Sequence, residues 1–529
     1  MNKNLILSII SGLLLAAAWP TYGVSFLIFI AFVPLLLLET SIRASTTKRK
    51  IIKVLGYSYI TFLFWNGLTT WWLWNSTVFG MLFAVLVNSL LMSMVFLSYH
   101  FVATRLPKKI HLIYLPAVWM AFEQLHLDWA FSWPWLNLGN VFSEFYTWIQ
   151  WYEFTGTFGG TLWVWIVNIT LFLCVETYRH NKNRTLLTRG IVKTLLCVAV
   201  PIVISLWIYQ KDVVAEKTAR VVVLQPNVDP YTEKYGRSNY ESLTDLLSIA
   251  AKHELSKTDF LIAPETTLSK LTSVDYLKVT QERVMINALI NQYPNLNFLT
   301  GADLFKLYEQ REKPSPYANK TSRGDWAELY NAALFFNKET VEVPYYVKSK
   351  LVVGVETFPF KNTLEPLLGN IMIDLGGTVS VRAIQEERMV FSSVDKKYKV
   401  GPIICYESVF GEFVTEYVKK GANFLAIITN DGWWSDTQGH KQHLSYARLR
   451  AIETRKSIAR SANTGISAVV NSKGDIIKQL GYEKKGSIAY DLPVNETVTF
   501  YVKYGDYLAR LGVLLAGFIL LFAIARKKG

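Results

Sequence analysis

Eight separate runs of mostly apolar residues, each near the length of a helix that crosses a bilayer, constrain this chain more than any other feature. Crossing the hydrocarbon core takes ~20 such residues per helix, because every backbone N–H and C=O inside it must be satisfied within the segment itself. Seven runs crowd the first two-fifths of the chain, near residues 4–20, 23–40, 51–74, 79–103, 110–127, 158–177 and 190–209. The eighth, about 507–525, follows a long stretch of soluble character. A content of 51% hydrophobic and 14% aromatic residues agrees with a membrane component. The first run imitates a signal peptide, with Lys3 ahead of it and Ala16-Ala17-Ala18 at its end. Trp19-Pro20 leading at once into a second apolar run reads better as a helical hairpin.

A formal charge of +14 raises nucleic acid as a partner until the basic residues are located. They sit at alternate exits from the apolar runs. Arg43, Lys48, Arg49, Lys50 and Lys53 follow the second run; Arg105, Lys108 and Lys109 follow the fourth. Arg179, Lys182, Arg184, Arg189 and Lys193 follow the sixth, and Arg526-Lys527-Lys528 the eighth. The intervening exits, near Tyr22, at Asn75 to Thr77 and from about Glu123 to Gly160, hold no Lys or Arg. Positive loops face the cytoplasm, so the pattern puts both termini inside and residues from about 212 to 500 outside. The charge marks a membrane, with no call for nucleic acid. Three parts are expected: 1–211 with seven helices, 212–500 as an exported domain, and 501–529 with the eighth helix and a cytoplasmic tail. The longest outer connection carries Trp129, Trp133, Trp135, Tyr146, Trp148, Trp151 and Tyr152. Rings with a polar tip suit the headgroup level, so interfacial anchoring is the ordinary reading. A sharper one has part of this segment lining a path by which lipid reaches a site.

From Thr218 onward the pattern becomes short β-branched runs separated by helical stretches. Arg220 to Gln225, Phe260 to Ala263, Phe298 to Thr300, Ala332 to Phe336, Val400 to Cys405, Phe424 to Thr429 and Ser467 to Val470 read as buried strands. Apolar strands alternating with helices indicate an α/β layered domain with its own core.

Of three cysteines, Cys174 and Cys197 fall in membrane runs, which leaves Cys405 alone in the exported domain. A lone thiol forms no disulfide within that domain and is too little for a thiolate metal site. Its bland reading is a small core residue. Cys405, however, ends the apolar run Gly401-Pro402-Ile403-Ile404 and precedes Tyr406-Glu407-Ser408. A nucleophile at a sharp turn after a strand is accessible and aims a following backbone N–H at a developing oxyanion. It also needs a proton acceptor and charge compensation. Two segments offer them: Pro264-Glu265-Thr266, just past a strand end, and Lys348 to Glu356, an ammonium and a carboxylate in one connecting stretch. Alone, each reads as surface charge.

Taken together, Gln225-Pro226-Asn227, Pro264-Glu265, Lys348 with Leu351-Val352 and Glu356, Ile404-Cys405-Tyr406-Glu407, Thr429-Asn430-Asp431-Gly432-Trp433, Gln442-His443, Arg450-Ala451-Ile452-Glu453 and Ala462-Asn463-Thr464-Gly465-Ile466-Ser467 resemble the apolipoprotein N-acyltransferases of the nitrilase superfamily. The resemblance extends to Trp133-Pro134-Trp135-Leu136 and to the eight-helix frame. It implies an α-helical bundle of eight transmembrane helices joined to a nitrilase-type αββα sandwich. It further implies Glu265 as general base, Lys348 as electrostatic partner of the tetrahedral intermediate and Cys405 as nucleophile. Glu356, Tyr406 and Glu407 match auxiliary positions. Val353 stands where the family usually has Pro, and Tyr235 lies one residue from the place of a functional Trp.

The implied reaction takes an acyl chain from a phospholipid onto Cys405 and passes it to the N-terminal amine of a diacylglyceryl-cysteine apolipoprotein, outside a bacterial cytoplasmic membrane. No metal or cofactor is implied, since the histidines lack ligand spacing. His443 is a rival base, because Cys/His is the commoner thiol pair; a structural hydrogen-bonding role suits it better. Two other functions stay open: a membrane-bound nitrilase-type amidase, in which water resolves the thioester, and an inert scaffold that binds lipoprotein.

Overall fold

The structure is a computed structural model that describes residues 3–211, 215, 217–309, 312–357, 359–360 and 381–526. Lys527 and Lys528, two of the three basic residues expected to close the chain, lie outside the described residues. The chain divides into two compact units. One holds the residues up to Trp74, Gly80–Lys211 and the residues from Tyr504; the other holds Asn75–Phe79 and the residues between Lys211 and Tyr504.

The first unit is helical: α1 (Lys3–Ala18), α2 (Val33–Ala44), α3 (Lys50–Thr70), α4 (Val78–Ala103), α5 (Lys108–Asp128), α6 (Tyr152–Asn181), α7 (Arg184–Gln210) and α12 (Tyr507–Ala525). Five helical stretches among the described residues are long and apolar enough to cross a membrane: Ser25–Ala44, Val78–Ala103, Tyr152–Asn181, Arg184–Gln210 and Tyr507–Ala525. The remaining three expected spans fall short of that measure for visible reasons. Helix α1 has only 16 residues. Helices α3 and α5 carry buried polar side chains, Ser58, Thr61, Asn66 and Thr69 in one and His111, Glu123 and His126 in the other.

Those polar groups bind helices together, since a buried polar side chain needs a protein partner. Ser8 Oγ donates to the Tyr57 carbonyl at 2.6 Å, and Thr61 Oγ1 to the Ser8 carbonyl at 3.0 Å. Before α2 the chain takes short helical turns, and Asn168 of α6 serves both sides of the break: it accepts from Phe32 N at 2.9 Å and donates to Ile28 O at 2.8 Å. Buried Glu123 accepts from Trp119 Nε1, Leu138 N and Thr161 Oγ1 at 3.1, 2.7 and 2.7 Å, which ties the 134–148 segment to α5 and α6. Two of the seven Trp and Tyr side chains from Trp129 to Tyr152 are packed inward; Trp129, Trp133, Tyr146, Trp148 and Trp151 stay partly exposed. Trp135 and Tyr152 are buried, Trp133 stacks on Trp135 with centroids 5.7 Å apart, and Tyr152 OH donates to Gly139 O at 2.9 Å. With a protein acceptor at hand, the Tyr152 hydroxyl needs no interfacial water.

The second unit carries two sheets. The first has the order β14 (Gly486–Val494), β1 (Lys217–Gln225), β2 (Phe260–Ile262), β4 (Asn297–Tyr308), β6 (Trp326–Phe336), β5 (Asn319–Lys320), with β3 (Leu268–Ser273) on β4 and β7 (Tyr345–Val347) on β6. The second has the order β13 (Ile476–Leu480), β12 (Ser467–Val470), β11 (Ile458–Ala462), β10 (Phe424–Thr429), β9 (Lys399–Ile404), β8 (Phe391–Ser392). Because strand side chains alternate, β1 feeds two cores. Val221 and Val223 join Ile403 and Ile428 of the second sheet in one core. Val222 and Leu224 join α8 (Asn239–Ala250) and α9 (Gln281–Gln292), through Leu243, Leu246, Ile286 and Ile290, in the other. Helices α10 (Gly411–Lys419) and α11 (Gln438–Thr454) pack on the second sheet through Val414, Tyr417, Ala447 and Ala451. The layers therefore run helix, sheet, sheet, helix. Every strand expected from the apolar runs is present; β4 and β6 reach well beyond theirs, which brings the polar residues Asp303 and Asn331 into paired strands.

Candidate active site

Strands β1, β2 and β4 run parallel, as do β9, β10 and β11. Their carboxyl ends deliver the candidate residues, the usual place for a site in α/β sheets. Glu265 follows β2, Lys348 follows β7, Cys405 follows β9 and Asn430 follows β10.

Proline at 264 donates no N–H, so the chain leaves the ladder there and Glu265 turns away from the sheet. The next residue, Thr266, has a φ of 47°, an uncommon conformation for a β-branched side chain. Close packing holds this turn: a Cβ on Gly301 would fall 2.6 Å from Glu265 Cα and 2.4 Å from Thr266 N. The Glu265 carboxylate is buried and fully engaged. Oε1 accepts from Lys348 Nζ at 3.0 Å and Asn331 Nδ2 at 2.7 Å; Oε2 accepts from Asn430 N at 3.1 Å.

Lys348 lies between two carboxylates, its side chain 1% exposed, with Nζ 3.0 Å from Glu265 Oε1 and 2.9 Å from Glu356 Oε2. Burial favours loss of its proton, but Glu265 and Glu356 outweigh that and hold the ammonium well above the usual lysine range. Glu356 is oriented by Asn331 Nδ2 at 3.0 Å and Val352 N at 2.9 Å. Burial would raise its carboxyl; Lys348 and then Arg382 keep it below the ordinary value.

Cys405 begins the helical turn Cys405–Val409 at a φ of 51°, a strained setting that costs on the order of 1–3 kcal/mol and persists only where neighbours enforce it. Ser408 Oγ donates to the Cys405 carbonyl at 2.8 Å, and His443 Nε2 lies 3.2 Å from the same oxygen. Glu407 pins the turn from the other side. It accepts from Ile404 N at 2.8 Å, Ser349 N at 2.7 Å and Tyr346 OH at 2.7 Å, so one carboxylate fastens the Cys405 turn to the stretch holding Lys348. Tyr406 is buried with its ring edge-on to Phe410 at 5.2 Å. Burial pushes the Cys405 thiol well above its ordinary range and the Glu265 and Asp431 charges add to this; the Lys348 charge opposes.

All six residues singled out in the sequence meet in this region. His443 has its ring nitrogens set otherwise than toward the thiol: Nδ1 is 2.9 Å from Asp431 Oδ1, and Nε2 is 2.8 Å from Ser408 Oγ. Asp431 also accepts from Arg460 Nη2 at 2.5 Å, and all three side chains are buried. Tyr235 stacks on Trp433 with centroids 6.4 Å apart. Sequence reasoning missed Asn331, the Asn430 backbone N–H and Lys234, whose ammonium donates to the Glu265 carbonyl at 3.3 Å. Asn331 had one visible signal, an amide inside the otherwise apolar Ala332 to Phe336 neighbourhood.

The family model described as apolipoprotein N-acyltransferase N-terminal domain matches residues 11–170, and the one described as carbon-nitrogen hydrolase matches residues 315–500. Among curated relatives, an apolipoprotein N-acyltransferase of Chlorobaculum tepidum is 27% identical, aligned over 100% of this chain and 98% of its own. One of Geobacter metallireducens is 24% identical over 99% of this chain and 96% of its own. Among solved structures, an amidase from Nesterenkonia sp. covers 57% of this chain and 98% of its own, at 16% identity and a TM-score of 0.37.

Proposed function

We propose that this chain, which belongs to the apolipoprotein N-acyltransferase family, moves an acyl chain from a membrane phospholipid through a Cys405 thioester to the N-terminal amine of a diacylglyceryl-cysteine apolipoprotein, completing lipoprotein maturation. The observation that carries the reading is the grouping of Glu265, Lys348 and Glu356 beside a buried, strained Cys405, in a chain matched along its whole length by N-acyltransferases.

In the first half-reaction Glu265 takes the Cys405 proton and the thiolate attacks the ester carbonyl of the phospholipid. The oxyanion forms beside the Lys348 ammonium and the backbone N–H groups of the turn. Glu265 then returns the proton to the departing glycerol oxygen, and lysophospholipid leaves. In the second half-reaction the acceptor amine attacks the thioester, Glu265 takes the amine proton, and the thiol is restored as the amide forms. Transfer in two steps is ping-pong, with donor product released before acceptor reacts. Eight membrane spans anchor the enzyme in the bacterial cytoplasmic membrane, where donor and acceptor both reside, with residues 212–500 facing outward.

The test is mass spectrometry of purified protein exposed to phospholipid alone. One acyl chain is expected on Cys405, released by neutral hydroxylamine as a thioester. Adding a diacylglyceryl peptide with a free N-terminus is expected to discharge it onto the amine, whereas an N-acetylated peptide leaves it in place. Steady release of free fatty acid without acceptor would mean hydrolysis; no acylation under active conditions would mean a binding scaffold.

Orientation has its own test. A membrane-impermeant thiol reagent is expected to label Cys405 in cells whose outer barrier is opened while the cytoplasmic membrane stays sealed. Labelling that appears only after the inner membrane is lysed would reverse the topology.

A further inference from the structure

A second lysine lies in the same region, and its surroundings differ from those of Lys348. Lys234 is 5% exposed. Taking an ammonium out of water costs several kcal/mol unless it is compensated. Whereas Lys348 bonds two carboxylates, Lys234 Nζ donates to neutral oxygens, the main-chain carbonyl of Glu265 at 3.3 Å and the hydroxyl of Thr266. Its own carbonyl accepts from Ser269 Oγ of β3 at 2.9 Å, so the ammonium end is fixed to the turn that presents Glu265 and the main-chain end to the strand that follows it. That turn contains Thr266 at its unfavourable φ of 47°.

We propose that Lys234 is a second cation of this site, a positioning residue that clamps the Glu265–Thr266 turn and offsets the charge of the Cys405 thiolate.

The charges of the buried set support this role, which rests on the acyl-transfer reading above. Glu265 and Glu356 are two anions against the single cation Lys348. Passing the Cys405 proton to Glu265 moves one negative charge to sulfur and leaves the imbalance unchanged. An uncompensated anion in a water-poor site is costly, and Lys234 removes the imbalance in both states. The neighbouring Arg382 also acts on Glu356, but its charge is matched by Asp303, with which it pairs at 2.6 Å, so the pair leaves the balance of the set unchanged. The groups acting on Lys234 fit the same account. Burial lowers its pKa to about 8; Glu265, Asp303 and Cys405 favour the charged form and Arg382 opposes it. It therefore remains mostly an ammonium at neutral pH.

The experiment follows alkylation of Cys405 by iodoacetamide in the full-length protein across pH, read peptide by peptide so that Cys174 and Cys197 do not interfere. This readout needs no lipid. In Lys234→Met alkylation of Cys405 at neutral pH, where the parent's Lys234 still carries its charge, is expected to slow about tenfold, and the difference from the parent is expected to shrink above pH ~8 as Lys234 itself titrates. Lys234→Arg, which keeps the charge, is expected to stay closer to the parent profile. Where Lys234→Met fails to accumulate, Lys234→Gln carries the same test, since it keeps a donor for the Glu265 carbonyl without the charge. A neutral variant that alkylates with the parent's profile would overturn the proposal. Parent protein that alkylates normally but is never acylated by phospholipid would instead sink the transfer reading and leave Lys234 untouched.

Discussion

Cys405→Ser is expected to abolish turnover while leaving the folded protein in the membrane. The hydroxyl occupies nearly the same space, so the turn held by Ser408, His443 and Glu407 survives. The chemistry does not, because a serine hydroxyl is far harder to deprotonate than a thiol, and burial already pushes the thiol at this position upward. Glu265 is matched to the easier task. Where nucleophile and base act as a unit, losing the nucleophile costs on the order of 10^6 in rate. The measurement is transfer from labelled phospholipid to a diacylglyceryl peptide, with the intact mass of the enzyme recorded alongside. Transfer within tenfold of the parent would remove Cys405 from the mechanism.

The second large effect concerns the base and its partner. Glu265→Gln keeps the shape of the side chain but ends proton transfer, and it sets an amide against the donors Lys348, Asn331 and Asn430 N. Lys348→Ala removes the charge beside which the oxyanion forms. Each is expected to slow acylation of Cys405 by roughly two to four orders of magnitude. Losing Lys348 also leaves Glu265 and Glu356 facing each other, and breaking a buried ion pair costs about 3–5 kcal/mol. Thermal unfolding in detergent therefore accompanies the rate measurement, so that a lost fold is not read as lost chemistry. Near-normal acylation in either folded variant would reject the triad. Complete loss in a folded His443→Ala, with both other variants active, would revive a Cys/His pair.

Much of the site was legible in the sequence because its parts are local. Pro264 before Glu265 ends a strand; Gly401 to Ile404 before Cys405 makes one. What lay beyond reach was the company these residues keep. Asn331 meets Glu265 across 66 residues of chain, and Glu407 meets Ser349 across 58. Lys234 gave no local sign, since a lysine between Glu233 and Tyr235 reads as surface charge. The inward packing of Trp135 and Tyr152 was hidden for the same reason, because their acceptors and stacking partners belong to the folded unit.

By itself the sequence determined where apolar helices and buried strands form, since a run of apolar residues must leave water wherever it lies, and it determined which residue types stand at strand ends. Tertiary structure alone decided that Asn331 faces the site. In the antiparallel β4–β6 pair Asp303 lies opposite Asn331, and a slip of one residue would turn Asn331 to the other face. That register depends on pairing between distant strands, on the two cores that sandwich them and on the close approach at Gly301. None of these is set by the residues adjacent to Asn331. The charge balance around Cys405 has the same origin: it is a sum over side chains from several elements, and it exists only once they are brought together.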